Sequence, residues 1–107
     1  MDSGRDAGDY PTASLEEFVE AARSGQAAAL DVRQLREWDA GHVSGSVHTF
    51  VGDLSRRIEE VPSDQDVIVA CASGFRASIG ASLLSRAGRP VRLVAHGGVP
   101  DVVRART

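Results

Sequence analysis

Asp66-Val67-Ile68-Val69-Ala70-Cys71-Ala72-Ser73-Gly74-Phe75-Arg76 is the stretch whose reading decides the fold. After Asp66 it runs through β-branched and small apolar residues without a polar interruption, the pattern of a strand covered on both faces. Cys71 stands at the C-terminal end of that strand. Beyond the loop the spacing changes: Ile79, Leu83 and Leu84 recur at helical intervals between Ala77 and Ala87, and Gly88 supplies a stop. A buried strand that turns directly into a helix is one half of a β-α-β unit, and the strands of such units run parallel.

Upstream, Ala28 to Val32 repeats the short apolar run of a buried strand, and Arg33 to Ala40 suits one or two helical turns. Gly41-His42-Val43-Ser44-Gly45-Ser46-Val47-His48 is too rich in glycine for a helix and reads as a loop entering a second short strand. Leu54, Ile58 and Val61 are spaced for one helical face, which predicts a helix ended by Pro62. Nearer the start, Ser14-Leu15-Glu16-Glu17 has the form of a capping box, and Leu15, Phe18, Val19 and Ala22 form an apolar face that Gly25 terminates. Downstream, Pro90 to Ala95 alternates as a further strand, before Gly97-Gly98 and a short basic tail. Residues 1–11 are expected to be a flexible lead-in or linker and residues 12–107 a single domain. The fold class that follows is α/β in three layers, a mainly parallel central sheet with helices on both faces. Ligands of such sheets bind beyond the C-terminal strand edge, where Cys71 stands.

Composition narrows the function. With 107 residues, 42% apolar and 25% charged, the chain has globular composition. Its net charge is −3 and its twelve basic residues, all arginine, are scattered, so the basic stripe of a nucleic-acid binder is missing. The absence of lysine removes Schiff-base catalysis on a side chain. One cysteine and three dispersed histidines give neither an internal disulfide nor a zinc pattern, so no metal is expected. The polar N-terminus and the lack of a long apolar segment lead to the expectation of a soluble cytoplasmic protein without a membrane partner.

The chemistry concentrates in Cys71-Ala72-Ser73-Gly74-Phe75-Arg76. A loop between a strand end and a helix start aims successive N–H groups at one point, and the helix N-terminus adds partial positive charge. Both favour a thiolate, which makes Cys71 the candidate nucleophile, expected to be exposed and held ionised by amides and a guanidinium converging on its sulfur. Gly74 allows a tight, left-handed turn, Ser73 offers a hydroxyl, and Arg76 is expected to face back across the loop as a fork of donors for an oxyanion. Asp31 and Arg33, at the end of a neighbouring strand, either line the pocket or pair with each other and with Glu37. His42 reads as a hydrogen-bonded structural residue, and Trp38 and Phe18 as core.

The loop resembles the Cys-x-x-Gly-x-Arg signature of the single-domain rhodanese homology family. Leu30-Asp31-Val32-Arg33, Glu37-Trp38, Gly41-His42-Val43-Ser44-Gly45-Ser46 and Gly97-Gly98 follow that family's order over about residues 14–103. The resemblance implies a sheet of about five strands and sulfurtransferase chemistry: Cys71 takes a sulfane sulfur as a persulfide, held by Arg76 and the loop amides, and passes it to a thiol or other nucleophile. No cofactor is implied beyond that covalent persulfide. Val102 stands where the family often has tryptophan, so an aromatic packing group near the C-terminus is missing. Ala72 and Ser73 replace the basic residues of thiosulfate-preferring members, so polysulfide or a low-molecular-weight persulfide competes with thiosulfate as donor. The run from Cys71 to Ile79, with Ser82-Leu83-Leu84 and Arg86-Ala87-Gly88, resembles rhodanese domains fused to metallo-β-lactamase-fold hydrolases, so a partner hydrolase or a sulfur-carrier protein is a further expectation.

Two rival readings share these residues. A phosphatase or arsenate reductase also needs a cysteine and an arginine around an anion, but its loop is one residue longer and it requires a general acid. A non-catalytic or redox-sensing interaction module keeps the fold and changes its use.

Overall fold

The computed structural model describes residues 11–106, and side chains as far as residue 103. The expected lead-in over residues 1–11 lies, but for Pro11, outside the described residues. Five strands form one sheet: β1 (Thr12–Ala13), β2 (Ala28–Asp31), β3 (Val47–His48), β4 (Val67–Ala70) and β5 (Val91–Val94). Their order is β1-β5-β4-β2-β3 and every neighbouring pair is parallel. Between and after them run α1 (Leu15–Ser24), α2 (Leu35–Ala40), α3 (Phe75–Arg86) and α4 (Val99–Arg106).

Strand periodicity divides the core in two. Val67, Val69 and Cys71 point to one face, where with Leu30 and Val32 they meet Ala77, Ala81 and Leu84 of α3 and Leu54. Ile68 and Ala70 point to the other, toward Phe18 and Ala21 of α1 and Val99 of α4. The three layers expected from the sequence are therefore present, and the same alternation sends the Cys71 side chain to the α3 side. The capping box of α1 is complete: the Glu17 amide donates to Ser14 Oγ over 3.0 Å and the Ser14 amide to Glu17 Oε1 over 2.8 Å.

Three elements differ from expectation. Leu54, Ile58 and Val61 do not sit on an α-helix; they belong to a segment with two short 3₁₀ turns, Val51–Asp53 and Ile58–Glu60. Here the carbonyls of Ile58, Val61 and Pro62 accept hydrogen bonds of 2.9–3.0 Å from the Arg89 guanidinium, a distant donor that replaces a continued helical ladder. The basic tail is helical as α4, opened by Val99-Pro100 with the Gly98 amide donating to Asp101 Oδ2 over 3.0 Å. Val102 packs against the α1-side core. Finally, Thr12–Ala13 forms an edge strand in register with Leu93 and Val94, an element too short to show any periodicity in the sequence.

Candidate active site

The site begins with parity and register. In the sheet Asp31 lies beside Ala70, so the chain leaving β2 and the chain leaving β4 emerge side by side. The loop after β4 enters α3 two residues earlier than the sequence spacing suggested, with Gly74 at the N-cap in the left-handed conformation, φ 101°. Glycine brings no side chain to cap the helix. The Cys71 sulfur takes that role: it accepts the Gly74 amide at 3.0 Å and the Ala77 amide at 3.2 Å. The amide nest expected around Cys71 is thus formed, at the positive end of the α3 dipole.

Backbone holds the loop from the far side. The Val99 amide donates to the Cys71 carbonyl over 2.9 Å, and a β-carbon at Gly98 would overlap the Ala72 carbonyl. A β-carbon at Gly74 would meet the Ala95 carbonyl oxygen at 2.8 Å. The loop after β5 therefore buttresses the loop after β4, through glycines that let the two backbones touch.

Two expectations about the site are corrected. Cys71 is 1% exposed and belongs to the aliphatic core cluster, where an exposed thiol was expected. The reason is that it continues the inward-facing series of Val67 and Val69 and is then covered by its own loop. The Arg76 fork, expected to face back across the loop for an oxyanion, is instead occupied by a carboxylate. Its Nη1 and Nη2 donate to Glu37 Oε1 and Oε2 at 2.6 and 3.0 Å, because the first turn of α2 presents a carboxylate that matches the planar fork. The Arg76 hydrogen bonds hold the Glu37 carboxyl down at about 2. In return Glu37 raises the Arg76 guanidinium above its ordinary value, with Cys71 and Asp31 acting in the same direction.

Of the remaining loop residues, Phe75 is 72% exposed, Ser73 is exposed, and Ala72 is half-buried. Asp31 and Arg33 form a pair with side chains 0% and 4% exposed. Arg33 donates through Nε and Nη2 to the Asp31 carboxylate and through Nη2 to the Gly41 carbonyl, 2.8 Å away, so the two side chains are committed to each other and to the backbone. The Glu37 carboxylate is bonded to Arg76 and the Gln34 amide, and the charge of Arg33 also helps to hold it down. His42 is the hydrogen-bonded residue expected, with Nδ1 2.9 Å from the Trp38 carbonyl oxygen. Phe18 is core, but Trp38 is only half-buried and stacks on His42 with ring centroids 3.6 Å apart.

Glu37 is the site residue whose partner the sequence reading missed. Its signal was its place in the first turn after a strand, but its partner follows from β2 and β4 being neighbours, which the sequence does not state. Among the described residues no three His, Cys, Asp or Glu side chains are grouped to hold a metal ion, and no helix is long and apolar enough to cross a membrane.

Known proteins share this architecture. The candidate sulfur carrier protein YrkF of Bacillus subtilis is 30% identical over 87 residues, which are 80% of this chain and 47% of that protein. The chain thus spans about half the length of this curated relative. The crystal structure of reduced CoADR-RHD from Bacillus anthracis superposes with a TM-score of 0.74 at 31% identity, over 84% of this chain and 16% of that one. The human single-domain sulfurtransferase TSTD1 shares the fold, with a TM-score of 0.72 at 22% identity, over 91% of this chain and 98% of that one. The Rhodanese-like domain profile matches residues 14–104, from the α1 capping box through the cysteine loop to α4, and by that match the chain belongs to the rhodanese-like domain family.

Proposed function

We propose that the domain is a sulfurtransferase that moves a sulfane sulfur from a donor to a thiol or other nucleophilic acceptor through a persulfide on Cys71. The observation that carries this reading is the convergence of the Gly74 and Ala77 amides on the Cys71 sulfur at 3.0 and 3.2 Å. Donors placed that way stabilise negative charge on a sulfur atom without solvent reorganisation. The Cys71 thiolate attacks the outer sulfur of the donor, the new Sγ–S bond replaces the donor's S–S bond, and the bonding pair leaves with sulfite or a thiolate. A second nucleophile then takes the outer sulfur and returns the Cys71 thiolate, a covalent two-step cycle that needs no metal or organic cofactor. Because the sulfur is enclosed, the loop from Ala72 to Arg76 has to yield as the donor enters. A partner hydrolase or sulfur carrier is the kind of protein that would exchange sulfur with it, and the reading suits a cytoplasmic, reducing setting.

A phosphatase role is disfavoured by the same geometry. The four-residue spacing from Cys71 to Arg76 makes a small cradle, and the guanidinium such a reaction would turn on a phosphate is engaged by Glu37.

Intact-mass analysis after incubation with thiosulfate, polysulfide or glutathione persulfide tests the reading. A gain of one sulfur atom, about 32 Da, on Cys71 is expected from the covalent step. No adduct with any donor would overturn it in favour of a non-catalytic interaction module, for which the enclosure of Cys71 is the supporting observation.

A further inference from the structure

The guanidinium in the cysteine loop is not free. Arg76 is gripped at both Nη atoms by Glu37, at 2.6 and 3.0 Å, with side chains only 26% and 30% exposed. Glu37 is itself fixed, since its Oε1 also accepts the Gln34 amide over 2.9 Å in the first turn of α2. Arg33, in the loop after β2, is committed to Asp31 and the Gly41 carbonyl. The arginines of the loops after β2 and β4 are therefore matched by carboxylates, and at the sulfur itself a donor meets backbone N–H groups and the α3 dipole. Beside Arg76 stands Phe75, 72% exposed, with Ile79 one helical turn on at 41%. The loop thus presents dipoles and apolar surface in place of net positive charge.

From this arrangement we infer that Glu37 is a donor-selecting positioning residue: by neutralising Arg76 it biases the Cys71 site against the thiosulfate dianion and toward sulfur donors of low charge, such as alkyl persulfides. The inference rests on the sulfurtransferase reading. Thiosulfate must bring two negative charges past the Glu37 carboxylate, or must open a bidentate ion pair to reach the guanidinium, and either costs binding. An alkyl persulfide brings at most one negative charge and reacts in its R–S–SH form, so it meets less of either cost. Attack of the Cys71 thiolate on its terminal sulfur forms Cys71–S–SH and expels R–S⁻, so the charge that enters the step as one thiolate leaves as another. With thiosulfate the same attack gives Cys71–S–S⁻ and sulfite, and three negative charges are gathered at the loop. Glu37 stays ionised throughout the neutral range, being held near pH 2, so the bias does not relax at ordinary pH.

The test compares thiosulfate with 2-hydroxyethyl persulfide as donors, with sulfur transfer to cyanide measured for the wild-type chain, Glu37→Gln and Glu37→Asp. The Gln variant keeps an acceptor for the Gln34 amide and removes the charge. Asp keeps the charge and withdraws it by one methylene, which opens the fork. For Glu37→Gln the ratio of kcat/KM for thiosulfate to that for the persulfide is expected to rise about tenfold, the order of one charge-assisted hydrogen bond, and to do so through KM for thiosulfate. Glu37→Asp should move it the same way by less. A purely structural lesion would depress both donors together and leave the ratio where it was. The inference is overturned if every variant that folds, judged by circular dichroism, keeps the ratio within about twofold of wild type while both donors still load Cys71; a twofold change is well below one such bond. A chain that no donor loads, wild type included, overturns the sulfurtransferase reading itself, which is a different result.

Discussion

The amide of Ala77 donates to the sulfur of Cys71 across 3.2 Å, so the residue that follows β4 is also the cap of α3. Strand, loop and helix are joined through one atom. An N-cap acceptor satisfies orphan amides of the first turn, and here that acceptor is the atom proposed to carry the sulfur.

Replacing Cys71 should therefore cost stability as well as chemistry. Cys71→Ala removes the cap and leaves a small void, an expected loss of about 1–2 kcal/mol. Cys71→Ser keeps an oxygen acceptor and should lose less, yet neither variant should gain sulfur mass. Urea denaturation and intact-mass analysis of the two variants check both halves.

Gly98→Ala should damage the loop from outside it. A β-carbon there would overlap the Ala72 carbonyl, and that obstacle is backbone with no side chain to swing away. Destabilisation of about 1–3 kcal/mol is expected, the range for forced overpacking, together with slower sulfur loading of Cys71. Thermal unfolding and the time course of the mass adduct report these.

Acid should weaken the link between α2 and α3. The Arg76 hydrogen bonds lower the Glu37 carboxyl from 4.5 to about 2, so the folded chain holds this group ionised where the unfolded chain protonates it. The resulting stability is fully present above about pH 4.5 and is lost as pH falls toward about 2. Glu37→Gln should flatten the stability profile in that window, as measured by urea midpoints between neutral and acid pH.

The Asp31–Arg33 pair should behave as structure and not as catalyst. Asp31→Asn removes the counter-charge of the buried Arg33 guanidinium and leaves it neutral oxygens alone, the new amide and the Gly41 carbonyl, and unpaired buried charge typically costs about 3–5 kcal/mol. A fall of that order in unfolding free energy is expected. Arg33→Lys should not rescue it, because a point charge cannot reproduce the bidentate contact. Denaturant titration of both variants decides this.

Much of the architecture was legible because it is local. The uninterrupted run from Val67 to Ala70, the Ser14 to Glu17 capping box and the helical spacing beyond Ala77 each carry their conformation in neighbouring residues. The same holds for Asp31 and Arg33, two positions apart, whose pairing was among the readings the sequence offered. The helix expected around Leu54 failed where a long-range donor, Arg89, took over the carbonyls of the turns. The α4 helix was hidden by its proline, and its buried Val99 joins the core cluster on the α1 side of the sheet.

The order of residues by itself determined that a cysteine would end a buried strand and that the amides of a helix start would surround it, since both follow from backbone periodicity and from a glycine at the turn. Tertiary structure alone decided how that sulfur is covered and which partner holds Arg76. Those outcomes depend on β2 lying next to β4 and on Gly98 touching Ala72. Chain segments distant in sequence are brought together only when the sheet chooses its strand order, and an arginine pairs with whatever carboxylate that choice sets within reach.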